Sequence, residues 1–348
     1  MTTCPLPAEN LPGSTPVLVT GGAGFIGRHL ALRLADLGHP VTVLDTADNP
    51  NALHGLTELA GRGPRVVVAS TADTELMART VREHPVVAHL AWPTVGVDQA
   101  LKAPLRQVAA LAQTAALAQL LTPEHTLLFA STSDIYGMHS ALYEGKTMAE
   151  DDLTVYEAPG VGRWTYSKVK AVAESVIAES PARTVAVRIF NAYGPGLDHP
   201  RGRRVIAQFT EAVFAGRPMR LSGDGSQRRA FCYISDLVEG MRLALNHSAM
   251  LPEHGHLAVN LGNPDACISV AELAQIIADL SVENGFVTSR PAILPGAYEY
   301  CAPFTDTWHR RPDISRARTL LGFRPVVDLR EGLLHVLRFH NDRTGTGV

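Results

Sequence analysis

Short apolar runs alternate with helix-length amphipathic segments along the first half of the chain. The apolar runs, each four to six residues long, lie at 17–20, 41–44, 65–69, 86–90, 126–130 and 184–189. Between them, apolar side chains recur with the spacing of a helix face, as at Ile26, Leu30, Leu34 and Leu37. Short buried strands separated by helices predict a parallel β-sheet that is covered by helices on both faces.

The pattern changes after the sixth apolar run, where glycine and proline clusters divide shorter elements. These clusters lie at 194–196, 223–226 and 294–296. We therefore predict a first domain over residues 14–190, a smaller α/β domain mainly over residues 191–340, and a flexible leader over residues 1–13. A further strand-like run at 256–261 makes the segment 230–262 a candidate to return to the first domain.

Composition excludes several classes of protein. The 348 residues carry 31 Lys and Arg against 34 Asp and Glu, a net charge of −3, which argues against a polybasic nucleic-acid binder. We find neither an apolar stretch of the roughly 20 residues that a membrane span needs nor a secretory signal pattern. The four cysteines lack CxxC spacing and the 14 histidines are dispersed, so we expect free thiols, no metal site and a cytoplasmic location.

A glycine-rich run directly follows the first predicted strand and opens the first helix. Gly21 permits a tight turn, Gly24 lets the backbone approach a pyrophosphate, and Gly27 allows close packing of the helix on the sheet. The helix begins at Phe25 and Ile26, where backbone N–H groups have no partner within the helix and can bind anionic oxygens. Because a strand precedes the run and a helix follows it, we predict a dinucleotide-binding loop.

An acidic residue completes this pattern. Asp45 ends the second predicted strand, about 20 residues beyond the loop, where a carboxylate accepts hydrogen bonds from an adenosine ribose. A 2′-phosphate would be repelled there, so NAD is favoured over NADP as the cofactor. The expected fold is therefore a Rossmann-type, doubly wound parallel sheet of the α/β class, with a smaller C-terminal α/β substrate-binding domain.

A second group of polar residues follows the fifth predicted strand, in the segment STSDIYG at 131–137, and a Tyr and a Lys share one helix face further on. Tyr166 and Lys170 are four residues apart, one helical turn. A phenol with a pKa near 10 acts as a base at neutral pH only if a cation stabilises its phenolate. We therefore predict that Tyr166 is a general base and that Lys170 supplies this cation.

Together, these motifs resemble those of the extended short-chain dehydrogenases/reductases that act on nucleotide sugars. Four stretches resemble UDP-glucuronate decarboxylases in particular, both the UDP-xylose synthases and the decarboxylase domain of the aminoarabinose pathway. These stretches are STSDIYG at 131–137, RWTYSKVK at 163–170, GSQRRAF at 225–231 and RRPDI at 310–314. The resemblance implies a lyase that uses NAD and a UDP sugar, and a homodimer.

The resemblance also implies roles for the residues around the fifth strand. Thr132 would bind the sugar 4-hydroxyl and relay its proton to Tyr166 while the C4 hydride passes to NAD. The resulting β-keto acid would lose carbon dioxide. Ser133 disfavours a dehydratase, because the related 4,6-dehydratases carry Asp there. Asp134 replaces the glutamate of the decarboxylases and is one methylene shorter, which bears on enolate protonation and on the final reduction.

On the substrate side, the resemblance assigns Arg310 to the substrate carboxylate or phosphates. It assigns Asn191, Arg204 and Arg229 to the nucleotide. Arg163 also matches the decarboxylases, without a defined role. Trp92 lies where the family's fourth strand meets the cofactor, so both packing and cofactor contact stay open for it.

Two other functions remain open at this point. A nucleotide-sugar 4-epimerase would use the same Thr132, Tyr166 and Lys170, but its keto sugar would be reduced without loss of carbon. A catalytically inactive NAD-binding regulator is a non-enzyme alternative, and the intact proton relay argues against it. The product, UDP-xylose or a released 4-keto pentose, also stays open.

Overall fold

The computed structural model describes residue 11 and residues 13–93, 104–143, 145–158, 164–197, 204–296 and 308–344. Fourteen strands are present in this part of the chain: β1 Val17–Thr20, β2 Val41–Asp45, β3 Arg65–Val68, β4 Val86–His89, β5 Thr126–Thr132, β6 Arg183–Ile189, β7 Ala192–Tyr193, β8 Met219–Arg220, β9 Arg228–Ala230, β10 Cys232–Tyr233, β11 His256–Leu261, β12 Cys267–Ser269, β13 Ile293–Leu294 and β14 His309–Arg310.

Helices of the described segments connect these strands. They are α1 Phe25–Asp36, α2 Pro50–Leu59, α3 Thr74–Glu83, α4 Pro104–Leu120, α5 His139–Leu142, α6 Thr165–Ala178, α7 Val205–Phe214, α8 Ile234–Ser248, α9 Val270–Glu283, α10 Ser315–Leu321 and α11 Leu329–Thr344. None of these helices is both long and apolar enough to cross a membrane.

Seven parallel strands form the main sheet, in the order β11-β6-β5-β4-β1-β2-β3. The six strands expected from the apolar runs are all present, and β5 extends further than expected, to Thr132. The run at 256–261 forms β11, which pairs in parallel with β6 at the sheet edge. The Rossmann-type fold predicted from the sequence is thereby confirmed, with the switch in strand order between β1 and β4.

Side chains alternate between the two faces of the sheet and form two separate cores. On one face, Val17 and Val19 pack into a large cluster that includes α1 and α8. On the other face, Leu18 packs into a second cluster with Leu117 of α4 and Ile177 of α6. Because both faces are covered, the inner strands β1, β2 and β4 are buried along their whole length, as is usual for parallel sheets.

The smaller sheets lie in the second half of the chain and include a three-stranded one in the order β12-β9-β14. Its strand β9 pairs in parallel with β14, with Arg229 opposite Arg310. After β12 the chain turns into α9 through a capping box. The Ser269 hydroxyl accepts from the Glu272 amide, and the Glu272 carboxylate accepts from the Ser269 amide. This small sheet therefore carries basic side chains on β9 and β14, and the capping box fixes the start of α9 directly after β12.

Candidate active site

The glycine loop between β1 and α1 leaves no room for side chains at two positions. Gly21 has a positive φ of 68°, and a Cβ there would lie 2.6 Å from the amide nitrogen of Ala91. A Cβ on Gly27 would overlap the carbonyl oxygen of Gly21. Gly24 is the N-cap of α1 and has no capping side chain, so the first amides of the helix remain available to an anion.

Phe25 and Ile26 begin α1 with their side chains packed into the large core, so only their backbone amides are left for a ligand. The Asp45 carboxylate accepts from the Ala23 amide at 3.0 Å and from the Ala47 amide at 3.2 Å. Its burial raises the pKa of Asp45, although both amide hydrogen bonds oppose this shift. The loop and its acid therefore fit the pyrophosphate and ribose of a dinucleotide such as NAD.

The residues predicted to relay the proton lie near one another at the carboxyl end of β5. Thr132 ends this strand, and its side chain lies within reach of that of Tyr166, in the first turn of α6. Burial and the negative charge of Asp134 raise the pKa of Tyr166, whereas the Thr132 side chain, Arg204 and Arg310 lower it. All of these predicted site residues are therefore close enough to influence one phenol.

Lys170 lies one turn further along α6 and is almost completely buried. Its Nζ donates a 2.7 Å hydrogen bond to the carbonyl oxygen of Ala130. The same ammonium lies 3.8 Å from the ring centroid of Trp92 and 4.4 Å from that of Phe129. Burial lowers the pKa of Lys170 well below its usual value, and the carboxylate of Glu174 opposes this shift.

Arg310 reaches the same pocket from β14. Its Nη1 lies 2.6 Å from Oδ1 of Asp134, in the 3₁₀ turn that follows β5 and begins at Ser133. Ser133 is itself buried, and both partners of the ion pair are largely shielded from solvent. A guanidinium and a carboxylate therefore face each other beside the predicted general base.

The remaining substrate-side residues lie on three different elements. Arg229 lies opposite Arg310 in the strand register, and its Nη1 donates to the Arg228 carbonyl oxygen at 2.9 Å. Asn191 follows β6 with a positive φ, and its side-chain amide donates to the Ala230 carbonyl oxygen at 3.0 Å. Arg204 is the N-cap residue of α7. Arg163 and most of the predicted leader lie outside the described residues.

A buried polar network behind the site was not predicted from the sequence. Glu174 accepts a hydrogen bond from the hydroxyl of Ser131 and an ion pair from Arg188, whose Nη2 lies 2.8 Å from Oε2 of Glu174. Arg188 also donates to the hydroxyl of Tyr136 at 3.1 Å. Glu174 lies four residues beyond Lys170, so the same helix spacing that relates Lys170 to Tyr166 would have pointed to it.

Histidines and cysteines do not assemble into a metal site in the described segments, where no group of three or more metal-ligating side chains is found. The thiols of Cys232 and Cys267 are free. The candidate site thus combines a dinucleotide-type loop, the predicted Thr–Tyr–Lys relay and an Arg–Asp pair, a set of groups suited to an NAD-dependent oxidoreduction.

Comparison with known proteins identifies the class. Residues 17–262 match the NAD dependent epimerase/dehydratase family, and the chain belongs to this family. It is an NAD-dependent enzyme whose relatives include named decarboxylases. The UDP-N-acetyl-alpha-D-glucosaminuronate decarboxylase of Bacillus cytotoxicus is 31% identical over 93% of this chain and 97% of its own length. UDP-glucuronic acid decarboxylase 1 of Danio rerio is 31% identical over 93% of this chain and 72% of its own length.

Solved structures share the fold over nearly the whole chain. MoeE5 in complex with UDP-glucuronic acid and NAD aligns with a TM-score of 0.75 at 25% identity, covering 94% of this chain and 99% of that one. UDP-glucose 4-epimerase from Thermotoga maritima aligns with a TM-score of 0.77 at 24% identity, covering 95% and 100%. The second likeness concerns the fold alone.

Proposed function

We propose that the protein decarboxylates UDP-glucuronate by oxidising C4 of the sugar with NAD. The observation that carries this proposal is the position of Arg310, whose guanidinium is held beside Asp134 in the pocket of Tyr166. A guanidinium can bind a carboxylate through two parallel hydrogen bonds, so it suits a hexuronate better than a neutral hexose. Two relatives at 31% identity over most of the chain carry the names of UDP-hexuronate decarboxylases, which supports the same substrate class.

In the first step the sugar 4-hydroxyl gives its proton through Thr132 to the phenolate of Tyr166. The positive charge of Lys170 stabilises this phenolate, and the near-complete burial of Lys170 strengthens the interaction. When bound, NAD supplies the hydride acceptor for C4 and later the hydride donor. The residues of this chain that hold it are Gly21, Gly24, Phe25, Ile26, Gly27 and Asp45, with contributions from Tyr166 and Lys170.

Oxidation of C4 activates the second step. The ketone at C4 is β to the carboxylate on C5, so the bond between C5 and the carboxylate carbon breaks and its electron pair moves into an enolate with oxygen on C4. Carbon dioxide leaves, and C5 then takes up a proton. Arg310 orients the carboxylate, and Asp134 is placed to handle the proton or to hold the water that delivers it. Ser133 contributes a neutral hydroxyl at the same turn.

The nucleotide is held near the three-stranded sheet β12-β9-β14. Arg229 shares the register of Arg310 and is assigned to the diphosphate. Asn191 and Arg204 flank this sheet and α7, and we assign both to the nucleotide. With these assignments, Arg229, Asn191 and Arg204 bind the UDP group, and the sugar extends into the pocket of Tyr166.

Purified protein incubated with UDP-glucuronate and NAD tests the proposal directly. Product mass and the near-ultraviolet absorbance of NADH are followed together. Loss of carbon dioxide supports the decarboxylase, and accumulation of NADH with a 4-keto pentose shows that the ketone is released before reduction. An unchanged mass with an inverted C4 favours the 4-epimerase instead. A parallel incubation with the 2-acetamido analogue of UDP-glucuronate distinguishes the two substrates named among the relatives.

We further infer a homodimer built on α4 and α6. The outer faces of these packed helices expose Leu105, Val108 and Val172, and apolar side chains in such a row favour burial against a second copy. Light scattering of the wild type and of a Val172→Glu variant tests this interface. Val326→Glu, at a highly exposed position of another segment, is the matched control.

We place the enzyme in the cytoplasm, where NAD and UDP sugars are available and free thiols such as Cys267 stay reduced.

A further inference from the structure

The environment of the Lys170 ammonium is unusual for a buried cation. Among the described residues no carboxylate forms an ion pair with it, and its one hydrogen bond goes to the Ala130 carbonyl oxygen. The nearest carboxylate in the sequence, Glu174, is engaged by Ser131 and Arg188. Something other than an ion pair must therefore offset the desolvation of this charge.

Two aromatic rings lie close enough to the Lys170 ammonium to offset its desolvation. The ammonium lies 3.8 Å from the centroid of Trp92 and 4.4 Å from that of Phe129, well inside the roughly 6 Å limit of a cation–π contact. The contact to Trp92 is the shorter one, and indole is the strongest of the aromatic cation binders. Lys170 thus has a π-face where most buried lysines have a carboxylate.

Trp92 is itself held in place by its neighbours. Its indole N–H donates a 2.6 Å hydrogen bond to Oε1 of Gln107, a fully buried residue of α4. The ring of Phe129 contacts Trp92 edge to face, with centroids 6.1 Å apart. The indole is therefore held by two contacts besides the one with Lys170.

The neighbouring histidine does not compete with Lys170 as a cation. His89 on β4 stacks on Phe129, and its ring nitrogens are hydrogen bonded to the hydroxyls of Thr20 and Thr114. Burial and the nearby Lys170 lower the pKa of His89 to about 3, so this imidazole is neutral at physiological pH. The charged groups that act on the Tyr166–Lys170 couple are then Glu174 on α6, Asp134 in the turn after β5, Arg204 at the start of α7 and Arg310 on β14.

We infer that Trp92 is a positioning residue for the oxidation step and that its indole face keeps Lys170 charged and aimed at the Tyr166 side of the pocket. Loss of one proton from the couple has two outcomes: phenolate with ammonium, which is active, or phenol with neutral amine, which is not. An aromatic face stabilises only the ammonium. Removal of this face therefore lowers the active fraction without touching the substrate. The inference rests on the oxidation step of the proposed function, which a decarboxylase and an epimerase share.

The sharpest test changes the electronics of the ring and leaves its shape nearly intact. Tryptophan with one, two, three or four ring fluorines is introduced at position 92 alone, and NADH formation is followed in single turnovers with UDP-glucuronate. Each fluorine weakens the negative face of the indole, so the logarithm of the rate should fall steadily with fluorine number. A rate that does not change across the series overturns the inference, because packing alone would tolerate the substitutions.

Conventional variants extend this test. Trp92→Leu should slow NADH formation about 30-fold and Trp92→Phe by less, with the substrate KM unchanged. Trp308→Phe is the matched control, because the Trp308 side chain is half exposed. If Trp92→Leu weakens NAD binding and leaves the rate of the NAD-saturated enzyme at the wild-type value, the residue is a cofactor contact and the inference is wrong.

A measurement that needs no turnover separates this inference from the proposed function. The chain has only four lysines, Lys102, Lys146, Lys168 and Lys170, so carbon-13 labelling at lysine Cε gives few signals to assign. Trp92→Leu should shift the titration of Lys170 to lower pH, and Trp308→Phe should leave it in place. An unshifted titration contradicts the inference even if UDP-glucuronate proves not to be a substrate.

Discussion

The carboxylate of Asp134 and the guanidinium of Arg310 meet with 2.6 Å between Oδ1 and Nη1, although they come from opposite halves of the chain. Arg310 is buried, so the pair is only weakly screened by solvent. A substrate carboxylate that binds Arg310 must share this guanidinium with Asp134. The pair is therefore placed to act in the steps that follow C4 oxidation.

Asp134→Asn should separate these steps. The amide keeps the size of the side chain but carries no charge and delivers no proton to C5, so we expect about a 100-fold loss in formation of the C5-protonated pentose. NADH formation should fall much less, because Thr132, Tyr166 and Lys170 are intact. Mass spectrometry of the pentose product and NADH absorbance measure the two steps in one sample. Asp134→Glu, which keeps the carboxylate, should retain both, and equal losses in Asp134→Asn would remove the special role of this residue.

Tyr166→Phe should abolish hydride transfer by removing the phenol that takes the proton. General-base catalysis contributes about 100-fold or more, so NADH formation should fall at least that far. NAD binding, measured by calorimetry, should persist, because the glycine loop and Asp45 are unchanged. In the wild type, burial and Asp134 raise the pKa of Tyr166, so the rate should increase with pH on the acid side. Normal turnover by the variant would exclude Tyr166 as the base.

Gly27→Ala should weaken NAD binding through the shape of the loop. The added methyl would overlap the Gly21 carbonyl oxygen, and forced overpacking costs about 1–3 kcal/mol, or roughly fivefold to 150-fold in affinity. Gly13→Ala is the control, since a Cβ there makes only an ordinary 3.6 Å contact with the Leu37 carbonyl oxygen. Equal NAD affinities of the two variants would contradict the tight-loop geometry.

Acidification should destabilise the protein through His89. The pKa of this imidazole is about 3 in the folded chain, against 6.5 for an unperturbed histidine, so the unfolded state takes up the proton first as pH falls. The free energy of unfolding should drop by about 1.4 kcal/mol per pH unit from this residue between pH 6.5 and 3, or about 2 kcal/mol at pH 5. Urea unfolding of His89→Gln should show a flatter pH dependence than the wild type. An identical slope would mean that His89 is not buried as a neutral ring.

Arg188→Met should strongly destabilise the fold, because Glu174 would be left buried without its cation. Breaking such a pair typically costs about 3–5 kcal/mol in unfolding free energy. The double variant Glu174→Gln/Arg188→Met should recover much of this loss, since neither charge remains. Thermal unfolding of both variants checks this expectation. A double variant as unstable as the single one would place the cost in lost packing of the Arg188 side chain.

Local patterns predicted the fold well but missed the pairings within the site. The strands of the main sheet are visible in the sequence as apolar runs, and Gly21, Gly27 and Asp45 follow a spacing that a dinucleotide requires. Strand β14 is only two residues long, too short for any periodicity, so nothing in the sequence places Arg310 against Asp134.

The buried carboxylate of Glu174 was not predicted, for a different reason. Glu174 shares the helix face of Tyr166 and Lys170, but the sequence does not show that this position is buried, because its partner Arg188 arrives from β6. The sequence indicates that Trp92 lies near the cofactor, but its contact with Lys170 depends on how α6 packs against the sheet. Contacts between distant segments of the chain are set by tertiary packing, which single-sequence patterns do not encode.

The edge position of β11 has a consequence for how the chain folds during synthesis. Its partner β6 ends at Ile189, and the 66 residues from 190 to 255 must be made before His256–Leu261 can cover that edge. Until then, β6 presents an open row of backbone donors and acceptors to other chains. Nascent chains that stall in this interval are the ones most exposed to aggregation, so demand for chaperones should peak there, and truncation after β6 should yield insoluble protein.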